Sequence, residues 1–244
     1  MYIVGHRGAK GEAPENTIAG FRHAIERGVR YLEFDLRLSS DNEIVIVHDE
    51  TVDRTCYGSG RVDSFSVKEL EKLDGRKSGP LWSTKTDTGV TTLRKVLAKT
   101  PEIKLYQFEV KTAPKAVLEE IAKQLASMFP TKKSAKKIVV TSFDTKMHKL
   151  MKIHAPYIEL GLVSEMQGCL AQAQELECDY LIIGSKICTP SLVSRAHKQN
   201  MHVSVWTVNE LAAIEKLHTM GVDSLVTDYP SMAIPYVGSL QCEG

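Results

Sequence analysis

The stretch His202–Asp228, HVSVWTVNELAAIEKLHTMGVDSLVTD, decides the fold. It opens as a β run from His202 to Val208, continues as an amphipathic helix from Glu210 to Met220, and closes as a second β run from Ser224 to Asp228. Strand, helix and strand in close succession make a parallel unit, because parallel neighbours need a crossover connection.

Upstream the same unit recurs. Strand Tyr180–Gly184 precedes a helix from Pro190 to about Asn200, and strand Ile158–Val163 precedes a helix from Gln167 to Leu176. Strand Ile138–Phe143 precedes helix Lys146–His154, and strand Leu105–Lys111 precedes a helix from Pro114 to about Phe129. At the start, a strand from Tyr2 runs into Val4-Gly5-His6-Arg7-Gly8, and Pro14-Glu15-Asn16-Thr17 supplies a stop and a cap. Ile18, Phe21 and Ile25 then follow at helical spacing until Gly28. Strand Tyr31–Leu38, YLEFDLRL, sets Leu32, Phe34, Leu36 and Leu38 against Glu33, Asp35 and Arg37.

Eight such strands in 244 residues predict a TIM (β/α)8 barrel, a single domain over 1–244; an open doubly wound sheet is the alternative on pattern alone. Two features interrupt the alternation. Ile44–Val47 follows the turn Ser39–Glu43 too closely for a crossover, so it reads as a hairpin arm that carries His48 toward the charged face of the second strand. The segment 51–92 is an inserted excursion rich in Gly, Ser, Thr and Lys, with one amphipathic stretch at Val67–Leu73, and helix Leu93–Lys99 resumes the pattern.

Composition narrows the function. With 31 basic and 30 acidic side chains the net charge is +1, which excludes the broad positive footprint of a nucleic-acid partner. No apolar run approaches the roughly 18 residues of a membrane span, and the first strand leaves no room for a signal peptide. The five cysteines are odd in number and lack metal-site spacing, so they read as free thiols of a cytoplasmic protein. Cys242 is third from the end, outside the prenylation pattern.

In a barrel of this kind, chemistry sits at the C-terminal ends of the strands. His6, Arg7, Glu33, Asp35, Glu109, Lys111, Ser142, Trp206, Asn209 and Asp228 all fall there. Three carboxylates without clustered thiolates or imidazoles favour a hard divalent cation, Mg2+ or Ca2+, over Zn2+. Two histidines beside such a cation, with an Arg and a Lys, suit phosphoryl chemistry on a diester: the cations steady the nonbridging oxygens while one imidazole removes a proton and the other supplies one. A Walker loop and the glycine run of dinucleotide sites are both missing.

HRGAKGEAPENT, LEFDLRL, IVIVHDETVDRTCYGSG, FEVK, SF, WTVN and TDYP, in this order over nearly the whole chain, resemble the glycerophosphodiester phosphodiesterase family. The resemblance implies a TIM barrel that hydrolyses glycerophosphodiesters to sn-glycerol 3-phosphate and an alcohol. By matching positions it implies His6 and His48 as the acid/base pair, with Glu33, Asp35 and Glu109 holding one divalent cation. Arg7 and Lys111 match phosphate contacts, Trp206 an aromatic at the glycerol end, and Glu15 a residue that supports the site from behind. Three departures stand out. Asp41-Asn42-Glu43 replaces the usual glycine turn, Thr91-Thr92-Leu93 replaces Pro-Thr-Leu, and Gly79–Gly89 matches weakly. Alternative readings are a lysophospholipase D-like or other phosphodiesterase on the same barrel, and a non-catalytic phosphodiester-binding protein. His23, His148, His154, His197, His202 and His218 read as structural or solvent-facing, Trp82 as an anchor for the excursion, and Lys132–Lys137 as a solvated loop opposite the site.

Overall fold

A computed structural model describes residues 1–242; the side chain of Cys242, one of the five expected thiols, lies outside the described ones. The chain runs β1 (Tyr2–His6), α1 (Ile18–Glu26), β2 (Tyr31–Leu38), β3 (Ile44–Ile46), α2 (Val67–Leu70), α3 (Leu93–Lys99), β4 (Leu105–Val110), α4 (Lys115–Met128) and β5 (Ile138–Ser142). It continues with α5 (Thr145–His154), β6 (Glu159–Ser164), α6 (Cys169–Glu175), β7 (Tyr180–Gly184), α7 (Pro190–His197), β8 (His202–Trp206), α8 (Leu211–Thr219), β9 (Ser224–Thr227) and α9 (Pro230–Cys242).

The parallel order β1-β2-β4-β5-β6-β7-β8-β9 closes on itself, because β1 pairs with both β2 and β9. This closed ring is the expected TIM barrel, and the open sheet is excluded. The hairpin arm is also as expected: β3 lies antiparallel on the outer end of β2, with Leu36 opposite Ile46. The left-handed residue its turn requires is Asn42, at φ 57°, in place of glycine.

Periodicity explains the packing. The even-numbered side chains of β2, Leu32, Phe34 and Leu36, are fully buried in the layer between sheet and helices, where the Phe34 ring meets Phe21 of α1 at 5.3 Å and Phe108 of β4 at 5.2 Å. Glu33 and Asp35, on the opposite face, are 2% and 0% exposed, so β2 is no solvated edge strand. The helix starts follow their caps: Thr17 accepts from the Gly20 amide at 3.0 Å and donates to the Pro14 carbonyl at 2.8 Å, which converts PENT into the first turn of α1.

The excursion builds its own small core from Val52, Cys56, Val62, Leu70 and Val90, packed against Val45 and Val47 of the hairpin arm. Trp82 sets its ring edge-on against His23 of α1 at 5.7 Å, anchoring the excursion to the barrel. Cys56, Cys169, Cys178 and Cys188 are buried and free. Among the described residues no helix is long and apolar enough to cross a membrane.

Candidate active site

The site begins where β1 ends. His6 is the last strand residue, and the backbone then turns through Arg7 at φ 49° and Gly8 at φ 92°. Gly5 permits that turn, since a Cβ there would sit 2.1 Å from the Gly8 carbonyl oxygen. The turn aims the Arg7 amide at Glu33 Oε2, 3.0 Å away, and its guanidinium at Glu15 Oε1, 2.8 Å, and Asp35 Oδ2, 3.3 Å.

Strand register assembles the carboxylates. His6 stands beside Glu33 between β1 and β2, and Asp35, the next same-face residue along β2, stands beside Glu109 of β4, so the register gathers these groups at the C-terminal end of the strands. Glu33, Asp35 and Glu109 each offer an oxygen within 4.8 Å of the others. Lys111 Nζ reaches Asp35 Oδ1 at 2.8 Å and also contacts Glu109 Oε1, while Asn16 donates to Asp35 Oδ2 at 2.8 Å.

The electrostatics are those of a crowded anionic centre. Burial and the neighbouring Asp35 and Glu109 push Glu33 well above the ordinary carboxylate range. Burial likewise raises Glu109, with Lys111 opposing. Burial would also raise Asp35, but Lys111 and Arg7 outweigh it and hold this group below its usual range. Glu33 Oε1 is buried without a hydrogen-bond partner. Three hard oxygen donors, two of them held toward protonation and one with an orphaned oxygen, fit a divalent cation.

Each of the two histidines leans on a carboxylate. His6 Nδ1 lies 2.6 Å from Asp228 Oδ1, and its Nε2 faces Glu33 Oε2 at 3.9 Å. Asn209 steadies Asp228, donating to Oδ2 at 2.8 Å and accepting from the Asp228 amide at 3.0 Å. His48 Nδ1 lies 2.6 Å from Asp49 Oδ1. A proton on each Nδ1, shared with its carboxylate, leaves Nε2 as the exchangeable position. Burial lowers the pKa of His48, with Asp35 opposing.

The structure thus brings His6, Arg7, Glu15, Glu33, Asp35, Glu109, Lys111 and His48 together. Lys111 rests on the carboxylates rather than pointing away from them. Trp206 is joined to this set by no hydrogen bond among the described residues; its ring meets Phe143 edge-on at 5.7 Å, and its Nε1 has no partner. Sequence reasoning missed the parts played by Asp228, Asp49, Asn16 and Arg54. Asp49 carried a signal in adjoining His48, and Asp228 in ending a strand; Arg54 carried none beyond the motif. His23, His197 and His202 pair with Glu12, Asp223 and Ser224, and His148 is buried against the Gly161 carbonyl, as structural histidines do.

The model of the glycerophosphoryl diester phosphodiesterase family matches residues 6–232. YhdW of Bacillus subtilis (strain 168) is 33% identical over 241 residues, covering 96% of this chain and 97% of that one. A glycerophosphodiester phosphodiesterase of Caldanaerobacter subterraneus subsp. tengcongensis is 30% identical over 244 residues, covering 96% and 97%. Among solved structures, an Oleispira antarctica phosphodiesterase in complex with the product sn-glycerol-3-phosphate superposes with a TM-score of 0.84 at 25% identity, covering 98% of this chain and 97% of that one.

Proposed function

We propose that this chain, which belongs to the glycerophosphoryl diester phosphodiesterase family, hydrolyses glycerophosphodiesters to sn-glycerol 3-phosphate and an alcohol with one divalent cation, Mg2+ or Ca2+. The observation that carries the reading is the meeting of Glu33, Asp35 and Glu109 within 4.8 Å, with His6 facing Glu33 at 3.9 Å. The product held by the O. antarctica protein supports the same substrate class.

Glu33, Asp35 and Glu109 hold the cation, which supplies charge compensation for the phosphoryl oxygens when bound. Arg7 and Lys111 orient those oxygens, and Glu15 keeps the Arg7 guanidinium in place. One of the two imidazoles takes the proton of the attacking hydroxyl; the other gives a proton to the departing alkoxide. The attacking group is either the glycerol hydroxyl next to the phosphorylated carbon, giving a cyclic phosphate that water opens, or water itself. Trp206, with Phe143 against it, walls the glycerol end.

On the outer side of β2 a cleft of about 210 Å³ runs between the hairpin turn, the excursion and α4, lined by Leu36, Leu38, Val117 and Ile121 and rimmed by Arg37 and Arg61. The departing alcohol points outward toward the excursion and solvent, so several head groups are accepted. The packing of the excursion's core against Val45 and Val47 of the hairpin arm supports reading the excursion and barrel as a single domain. The buried free thiols support residence in the cytoplasm. A panel of glycerophosphocholine, glycerophosphoethanolamine and glycerophosphoglycerol tests the reading: each should release sn-glycerol 3-phosphate, and release from none would defeat it.

A further inference from the structure

Arg54 belongs to the excursion, yet its side chain touches both halves of the site. Its Nη1 and Nη2 donate to the two oxygens of Glu15 at 2.8 and 2.9 Å, and its Nε donates to Asp49 Oδ2 at 2.6 Å. Glu15 in turn receives Arg7 Nη1 at 2.8 Å, and Asp49 receives His48 Nδ1 at 2.6 Å. Arg7, Glu15, Arg54, Asp49 and His48 therefore form one unbroken hydrogen-bonded chain.

The two links differ in what they require. The Glu15 side chain is 6% exposed, and a carboxylate so buried must have both oxygens satisfied. Arg7 serves one oxygen only; the planar fork of Arg54 closes the rest of the shell, a geometry that a lysine point charge cannot reproduce. The Asp49 side chain is 29% exposed and follows His48 directly, so nothing but Arg54 fixes its second oxygen among the described contacts. Without that anchor the carboxylate rotates, and with it the imidazole whose Nδ1 it holds.

We propose that Arg54 is a positioning residue that sets Arg7 and His48 jointly, making the excursion a working part of the phosphodiesterase site. This inference rests on the roles given to Arg7 and His48 above. It distinguishes Arg54 from a surface ion pair: removing the guanidinium frees an anion contact and a proton-transfer group at once, so substrate affinity and turnover fall together. Its side chain is 40% exposed, which leaves a route from solvent for a small replacement.

The test uses full-length Arg54→Ala and Arg54→Lys, assayed on glycerophosphocholine with saturating Mg2+ beside the wild type. For Arg54→Ala, KM should rise and kcat should fall, each about 10-fold or more, the scale of a lost charge-assisted hydrogen bond. Millimolar guanidinium should restore part of both parameters, whereas equal sodium chloride or urea should not, and Arg54→Lys should recover one link only. A merely structural role would not respond to guanidinium. An inactive wild type defeats the functional reading and this one together. An active wild type whose Arg54→Ala form keeps normal kcat and KM, or loses activity that guanidinium leaves untouched, overturns this inference alone.

Discussion

His6 and Asp228, 222 positions apart in the chain, meet at 2.6 Å across the seam where β1 closes against β9. Closing the barrel and orienting the first imidazole are thus one event. Asp228 accepts the Nδ1 proton and so turns Nε2 toward Glu33, a geometry that a neutral amide can invert by donating to Nδ1 instead.

Asp228→Asn should therefore lower kcat by about 10-fold or more while KM stays near wild type, because Asp228 touches no phosphate contact. Steady-state kinetics on glycerophosphocholine measures this. An unchanged kcat would mean that His6 needs no such partner.

His6→Ala and His48→Ala should each lower kcat by roughly 10²-fold or more with the fold intact, the usual scale for positioned proton transfer. Thermal unfolding beside the kinetics separates chemistry from stability. Near-normal turnover in either variant would remove that histidine from the acid/base pair.

Cation binding should be linked to protons. Glu33 and Glu109 are raised above the ordinary value of 4.5, so they keep protons at pH values where a free glutamate has lost them, and a cation must displace those protons. Affinity for Mg2+ or Ca2+ should rise with pH from about that value upward and level off once Glu33 has ionised. Calorimetry in two buffers of different ionisation enthalpy reads the proton release directly. A pH-independent affinity without release would contradict the crowding of the carboxylates.

Specificity should lie at the glycerol end. If the neighbouring hydroxyl is the internal nucleophile, its oriented position supplies much of the rate, and the 2-deoxy analogue should be a poor substrate. Several departing alcohols should be accepted at similar efficiency. Cleavage of the deoxy analogue at an undiminished rate would assign the attack to water.

Much of this was legible in the chain because it is periodic. Leu32, Phe34 and Leu36 alternating with Glu33 and Asp35 announce a strand with an apolar and a charged face, and recurring strand-helix units announce the barrel. Pattern alone left an open sheet possible, and it is the pairing of β1 with β9 that turns the charged face of β2 away from solvent. Pattern likewise does not reach Asp228 and Arg54, whose partners are remote in sequence and are found only through topology. Strand ends differed by a residue or two: β4 stops at Val110 rather than Lys111, and β8 at Trp206 rather than Val208. The last helix, α9, carries Pro235 in its interior and gave no clear signal.

The most direct test of the account is release of sn-glycerol 3-phosphate from glycerophosphocholine by protein stripped of metal with a chelator, then reloaded. Turnover should vanish on stripping and return with Mg2+ or Ca2+, much less with Zn2+, and Glu33→Gln should abolish the recovery. Full turnover by the exhaustively stripped protein would contradict the claim that Glu33, Asp35 and Glu109 hold a cation the reaction needs.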